Sequence, residues 1–468
     1  MKIALLHYHL KTGGVTTVIQ HQVEALQGRC DTLVLTGDRA AAQLPCPIVE
    51  IPEIGYDRPD KPSLSPQAMV DRILQSILKK WPDGCDVLHI HNPTLAKNRC
   101  LITCIELLQV SGLVLLLQIH DFAEDGRPQV YSQEAYPRDC HYAVINSRDA
   151  HILMSAGLDP SGVHLVPNAV ESLPTVADIK LDPCVVYPVR AIRRKNIGEA
   201  ILLSLFLPGG RRLHISQPPT SARDLPVYHD WRSFVKKRGL TVQFGAGRRY
   251  GFPALVAAAE SMVTTSITEG FGFSFLEPWT AGKMLWGRRL DDICGDFEKR
   301  GLGLESLYNR LGVPLTWFDF DGFIQAWREA VLQVSKCYGR GPAPECLDDC
   351  IQGVQKEGLI DFGYLSEKYQ RQILEHLLSN SKARNWLVGQ NPKITQPDPA
   401  DADAVTIENN HRIVEDNYDL DDYGVRLLEV YKIVDRQPVQ HQIDKSVLVD
   451  AFLDVNRFSL LKWGSYAA

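Results

Sequence analysis

The sequence predicts an α/β protein made of two doubly wound, parallel-sheet domains facing each other across a cleft. Three observations carry this. Short apolar, strand-like runs alternate with helical patterns from residue 2 to residue 281. The alternation stops once, over the mixed polar stretch 171–183 with Pro174 and Pro183, and then restarts. The length of 468 residues exceeds one ordinary core and suits two.

The elements follow in order. Residues 2–8 form an apolar run, Thr12-Gly13-Gly14 follows, and a helical pattern runs from Val15 to Leu26. Cys30 to Leu35 reads as the next strand, which gives the β-α-β opening of a doubly wound sheet. The Pro-rich stretch 52–66 reads as a loop, and 67–80 as a helix with Met69, Ile73, Ile77 and Leu78 on one side. Strands at 86–90, 113–119, 142–145 and 163–166 end on His91-Asn92-Pro93, His120-Asp121, Asn146-Ser147 and Pro167-Asn168. Beyond the linker, strands at 184–189, 213–216, 241–244 and 263–266 alternate with helices at 196–206, 229–238, 254–261 and 274–281. Two such repeats describe Rossmann-like domains, in which ligands bind beyond the strand C-termini. His7, His9, His91, His120, Asn146, Asn168, Arg190 and Glu269 all stand there.

The expected domains are 1–172, 184–435 with an insertion around 290–410, and a tail over 436–468. The insertion holds Gly- and Pro-rich patches and a loose loop near 391–404, and helical signals return at 421–435. The tail is amphipathic over 445–462.

Composition narrows the function. Apolar residues make up 45% and charged residues 23%, a globular balance. No apolar stretch is long enough for a membrane span. The opening MKIALLHYHLKTGG breaks at His7 and His9, so it reads as a buried strand and not a signal peptide, and a cytoplasmic location is expected. The 11 cysteines are scattered without C-x-x-C, which favours reduced thiols over a zinc module or disulfide framework. Net charge is -6, yet residues 188–290 hold sixteen Lys and Arg against six Asp and Glu. A basic middle in an acidic protein suggests an anionic ligand. Nucleic acid is not expected, because Arg211-Arg212, Arg248-Arg249 and Arg288-Arg289 lack interleaved aromatics.

The strongest single element is Thr268-Glu269-Gly270-Phe271-Gly272-Phe273-Ser274-Phe275-Leu276-Glu277. Gly270 and Gly272 let backbone approach a ligand closely. The N–H groups of the following helix start can hold a phosphate. Glu269 and Glu277 can accept hydrogen bonds from sugar and ribose hydroxyls. In VRAIRRKN, Arg190 and Lys195 can neutralise charge on a leaving diphosphate, the first as a fork and the second as a point charge. The bland reading is a tight turn with surface glutamates and a solvated basic run, Arg193-Arg194-Lys195, at a helix start. A basic run there opposes the helix dipole, which favours the functional reading.

Glu269 and Glu277 resemble the E-x7-E element of retaining GT-B glycosyltransferases, in particular glycosyltransferase family four, and Ala281-Gly282-Lys283 continues that pattern. Gly13-Gly14 resembles the family's glycine loop near the donor diphosphate. Val166-Pro167-Asn168 resembles its interdomain turn, and Arg190-x4-Lys195 its cationic clamp. The resemblance covers most of residues 1–290. It implies donor contacts at Gly13, Gly14, Asn168, Gly270, Phe271, Gly272, Phe273, Ser274 and Glu277, and catalytic roles for Arg190, Lys195, Glu269 and His120. A His at the position of His120 positions the donor hexose in that family. His91, Asn92 and Asp121 are the candidate acceptor residues. The chain departs from the pattern at Val189, where the family usually has Gly, and after Gly282-Lys283, where Met284-Leu285-Trp286-Gly287-Arg288-Arg289 follows in place of an apolar strand. Arg288 and Arg289 either reach the site or pair with Asp291 and Asp292. The tail either braces the N-terminal domain, as terminal helices do in the resembled fold, or forms a dimer or peripheral membrane-surface helix.

Other motifs are weaker. His7-x-His9 and His89-x-His91 put paired rings on one strand face, but a metal site needs three or four converging ligands, so none is expected. Gly245-Ala246-Gly247-Arg248-Arg249-Tyr250-Gly251 imitates a dinucleotide fingerprint with G-x-G-x3-G spacing, and a loop beside the nucleotide base explains it equally well. The expectation is a retaining, metal-independent hexosyltransferase without cofactor. Its donor is a nucleotide-diphosphate hexose, with UDP-glucose the working choice, and its acceptor is a small molecule or glycan. A sugar-nucleotide epimerase, an NAD-linked oxidoreductase and a non-catalytic nucleotide-sugar-binding protein are the alternatives.

Overall fold

The computed structural model describes residues 1–39, 43–58, 65–174, 176, 181–341, 344–395 and 404–464. The chain divides into two compact units, Met1–Ala169 with Asn417–Leu453, and Val170–Asp416 with Asp454–Ala468. The C-terminal division therefore differs from the expected 435/436 boundary. Parts of the expected linker and the centre of the expected loop at 391–404 lie outside the described residues.

The first unit is built on a seven-stranded sheet: β1 (Lys2–His7), β2 (Asp31–Thr36), β3 (Ile48–Glu50), β4 (Val87–His91), β5 (Leu115–Ile119), β6 (His141–Val144) and β7 (Val163–Leu165). The order is β3-β2-β1-β4-β5-β6-β7, and all six neighbouring pairs are parallel. Burial on both faces explains the continuous apolar runs. Along β1, Ala4 and Leu6 enter one core, while Ile3 and Leu5 enter the other. The helix Pro66–Lys80 covers the first face with Met69, Val70, Ile73 and Ile77. Ser65 caps it by accepting from the Ala68 amide at 3.3 Å, Pro66 opens it, and Lys79 and Lys80 suit its C-terminal dipole. The other face is covered by Gly14–Ala25 and by the late helix Leu420–Arg436, which contributes Tyr423, Leu427, Tyr431 and Val434. A Cβ on Gly424 would lie 2.3 Å from the Ala25 carbonyl oxygen, so glycine sets how closely these two helices approach.

The second unit holds a six-stranded sheet: β8 (Cys184–Arg190), β9 (Arg212–Gln217), β10 (Val242–Phe244), β11 (Ala259–Thr264), β12 (Met284–Arg288) and β13 (Leu307–Tyr308), ordered β10-β9-β8-β11-β12-β13. The predicted helix at 254–261 ends at Ala258 instead, because Ala259 and Ser261 pair with Cys184 and Val185 of β8. Met284–Arg288, read as a departure from an apolar strand, is a strand. The described residues of 290–410 form regular elements. They add a small antiparallel sheet, β14 (Gly312–Pro314), β15 (Gln355–Lys356) and β16 (Leu359–Asp361), and long helices such as Phe320–Cys337 and Glu367–Ser379.

Among the described residues, no helix is long and apolar enough to cross a membrane.

Candidate functional site

Strand order reverses between β1 and β4 in the first sheet and between β8 and β11 in the second. Ligands of doubly wound sheets bind beyond the strand C-termini at such points. Most candidates stand at or next to these points, while Asn168 follows the edge strand β7.

In the second unit β8 ends on Arg190, which is exposed. Its guanidinium has no side-chain hydrogen bond or ion pair among the described residues. The chain then makes a single 3-10 turn, Arg193–Lys195, and enters the helix Ile197–Ser204 through Asn196, a buried non-glycine residue at φ 51°. The turn is stitched to the end of β11. The Lys195 carbonyl accepts from the Tyr187 hydroxyl at 2.8 Å and from the Thr265 hydroxyl at 3.0 Å, and the Arg194 carbonyl accepts from the Ile267 amide at 3.0 Å. This aims the Lys195 ammonium at Glu269, to which it donates a short hydrogen bond. Arg194 Nη1 lies 4.0 Å from the other carboxylate oxygen.

The basic run is therefore no solvated face. Arg193 is also occupied, in a two-pronged bond to Glu367 at 2.7 and 2.8 Å. Burial raises the Glu269 carboxyl, but Lys195 and Arg194 outweigh it and hold the group below the usual carboxylate range. Glu277 goes the other way. Burial first, and repulsion from Glu269 next, push its pKa up to about 7 against the pull of Lys195.

The glycine loop corrects one expectation. No long helix starts at Ser274. A 3-10 turn spans Phe273–Phe275, and a four-residue α-helix spans Glu277–Thr280, so Glu277 opens that helix and does not lie inside it. Gly272 at φ 96° sets off the first turn, and Pro278 sits in the first turn of the short helix, where a missing N–H costs no helical bond. Such a short helix has little dipole to offer a phosphate. What remains is backbone: the amides of Gly272, Phe273 and Ser274 have no backbone acceptor among the described residues. Phe271 is buried against Phe273 and Phe297, and Ser274 sits 3.5 Å from the Thr264 hydroxyl.

Sequence spacing gave no sign of what supports this turn. Asn196 donates to Glu199 at 2.6 Å and accepts from Gln370 at 2.8 Å. Glu199 is fully buried and also receives Arg288 at 2.7 and 2.8 Å and the Tyr308 hydroxyl at 2.7 Å. Arg288 forks onward to Asp361 at 2.7 and 2.8 Å. Arg288 therefore neither reaches a ligand nor pairs with Asp291 or Asp292. Arg289 pairs with Asp291, as one reading held, and with Glu298. The imitation fingerprint is a five-residue helix, Ala246–Tyr250, behind left-handed Gly245. A Cβ on Gly247 would lie 3.0 Å from the Ser216 carbonyl oxygen, so close packing on β9 accounts for that glycine.

In the first unit, Gly13 precedes and Gly14 opens the helix after β1, and nothing lies within 4 Å of where a Gly14 Cβ would be. Asn168 is buried, and its Oδ1 has no hydrogen-bond partner among the described residues. His120 lies just past β5 with 6% exposure, and its Nε2 is 2.9 Å from His91 Nδ1, the two ring planes within 8° of parallel. Two acceptor candidates need correction. His91 is fully buried behind His120, so it does not present itself to an acceptor. Asn92, at φ 51°, spends its side-chain oxygen on the amides of His120 and Asp121 at 2.7 and 3.2 Å. Asp121 pairs with Arg127 at 2.5 Å. Burial pushes His7 and His89 down to about 3 and His120 down to about 4, so these rings are neutral near pH 7. Among the described residues, no group of three or more His, Cys, Asp or Glu is arranged to hold a metal ion.

Two Rossmann-like units, each with its polar residues at the strand-order reversal, have the fold of GT-B glycosyltransferases. The chain is similar, at 25% identity over 411 residues, to a mannosylglucosyl-3-phosphoglycerate synthase of Petrotoga mobilis, covering 79% of this chain and 80% of that protein. Its fold matches sucrose-phosphate synthase of Thermosynechococcus elongatus with a TM-score of 0.53 at 14% identity, over 92% of this chain and 98% of the other. It matches Anabaena HepE, solved with UDP and glucose, equally well: TM-score 0.53 at 14% identity, over 92% and 99%. No protein-family model matches.

Proposed function

We propose that this chain is a retaining glycosyltransferase that moves a hexose from a nucleoside-diphosphate sugar to an acceptor hydroxyl without a metal ion. The observation that carries the reading is the charge arrangement at the second unit's strand-order reversal. An exposed guanidinium, Arg190, without an acidic partner among the described residues, ends β8, and a buried ammonium, Lys195, meets Glu269 at the head of a glycine loop. A transferase breaks the bond between the sugar's anomeric carbon and the diphosphate. Arg190, Lys195 and the amides of Gly272 to Ser274 would take up the negative charge released. Glu269 and Glu277 would orient hexose and ribose hydroxyls. The acceptor oxygen would bond to the anomeric carbon on the face the diphosphate leaves, its proton passing to the departing phosphate oxygen. His120 offers a neutral hydrogen-bonding group for a sugar hydroxyl. The synthase similarity and the fold shared with a UDP- and glucose-bound protein support a sugar-nucleotide donor.

The test is incubation with UDP-, GDP- and ADP-hexoses, with cell extract, with 3-phosphoglycerate or its glucoside, or with no acceptor, and identification of the products. Acceptor-dependent release of nucleoside diphosphate, with the anomeric configuration kept, is expected. Rearranged free sugar would mean an epimerase, absorbance change with NAD an oxidoreductase, and binding without turnover a binding protein.

A further inference from the structure

The first unit contains a cluster of four buried imidazoles, His7, His89, His91 and His120, in which the hydrogen bond between His91 and His120 decides where both carry their protons. His7 Nδ1 is 3.3 Å from the His91 carbonyl and donates to it. His89 Nδ1 is 2.9 Å from the Tyr431 hydroxyl, and the His89 ring stacks on His91 with centroids 4.3 Å apart. His91 Nδ1 faces His120 Nε2 at 2.9 Å. Both rings are neutral, so exactly one of these two nitrogens carries the proton.

The surroundings decide which. His91 is fully buried, and its Nε2 has no hydrogen-bond partner among the described residues. If His120 donated, His91 would have to carry its own proton on that Nε2, an orphaned N–H in the core. Orphaned buried N–H groups are rarer than under-used acceptors. If His91 donates, the orphan is only a lone pair. His120 must then hold its proton on Nδ1, the ring nitrogen left for a ligand once Nε2 has turned inward. Asn92 fixes the geometry by holding the His120 and Asp121 amides.

We propose that His91 is a positioning residue that acts through His120: it locks His120 as the Nδ1–H tautomer, so that this imidazole meets its ligand as a hydrogen-bond donor and does not serve as a base. The ligand group it meets is an oxygen acceptor, which on the reading above is a sugar hydroxyl. A ring nitrogen's proton follows from the bond its partner nitrogen makes.

The test uses the full chain labelled with 15N-histidine, two-bond proton–nitrogen correlation spectra near pH 7, and His120→Gln to assign the His120 signals. A protonated-type Nδ1 and unprotonated-type Nε2 are expected for His120. His91→Asn, whose amide donates in place of Nδ1–H, keeps that pattern, whereas His91→Leu releases it to a tautomer mixture. UDP-glucose should bind His91→Leu roughly tenfold more weakly than His91→Asn, the scale of one hydrogen bond. A wild-type His120 protonated on Nε2, or an unchanged tautomer in a folded His91→Leu, overturns the proposal. If His91→Leu does not fold, the wild-type spectrum still decides. If wild type neither binds nor consumes UDP-glucose, the donor reading suffers while the spectrum judges this proposal alone.

Discussion

Lys195 donates to Glu269 across 74 residues of chain, with both side chains largely withdrawn from solvent. Each charge is tolerable there because of the other. Removing one partner of such a pair costs about 3–5 kcal/mol, since the remaining charge is stranded. Lys195→Ala is therefore expected to lower turnover of UDP-glucose at least about 100-fold, the scale of lost leaving-group stabilisation. It should also lower the melting temperature. Glu269→Gln, which keeps an acceptor oxygen, should melt closer to wild type while still losing turnover. Near-normal turnover in purified Lys195→Ala would contradict the assignment.

Arg190 separates function from stability more cleanly. It is exposed and bound to no described acidic group, so Arg190→Ala should shift unfolding free energy by no more than about 0.5 kcal/mol. A charge-assisted hydrogen bond is worth about 1.5–3 kcal/mol, so the same substitution should weaken UDP binding roughly 10- to 100-fold by calorimetry. Unchanged UDP affinity would remove Arg190 from the site.

Glu277 gives a pH signature. Its folded pKa of about 7 lies above its ordinary value of 4.5. Below 4.5 both folded and unfolded chains hold the proton. Between 4.5 and 7 only the folded chain holds it, so this group's contribution makes stability fall as pH rises through that window. Glu277→Gln should remove that part of the slope in urea titrations run across pH 4.5 to 7. An identical slope in both proteins would mean Glu277 titrates normally.

Arg288 neutralises two buried carboxylates, Glu199 and Asp361, and through Asn196 it supports the turn that carries Lys195. Arg288→Met should cost about 3–5 kcal/mol in chemical denaturation. Replacing Glu199 by Gln and Asp361 by Asn in the same chain should recover part of that loss, because no unpaired carboxylate remains. An additive result would mean the three act independently.

How much of this the sequence disclosed depended on local pattern. Strands of the two parallel sheets, buried on both faces, announce themselves as apolar runs, and β1, β5 and β8 fall within a few residues of their predicted bounds. β3 was missed because Ile48–Glu50 is three half-covered residues at a sheet edge. The small sheet within 290–410 was missed because its strands are two or three residues long. The candidate residues beside Lys195 were legible because Arg190 ends a strand, Glu269 follows one, and Glu277 lies eight residues on in a recognisable pattern. Their support was not, because Arg288 meets Glu199 across 89 residues and Asp361 across 73, and ion pairs that distant leave no spacing signal. His91 was misread for a related reason: its position at a strand end suggested access, while burial put another ring in front of it.

The first unit's chain is interrupted, and this bears on how the protein is made. Its sheet is complete once residue 165 has left the ribosome, but the face bearing Ile3, Leu5 and Ile19 also needs Tyr423, Leu427 and Tyr431. During translation that apolar face stays uncovered until residues 423–431 have emerged, more than 250 residues after the sheet is complete. A premature stop after Asp416 would leave the face bare and would also deprive the second unit of Asp454–Ala468. Nascent copies of this protein should therefore lean on chaperones until Leu420–Arg436 has emerged, and chains cut before Leu420 should be recovered from cells as aggregates.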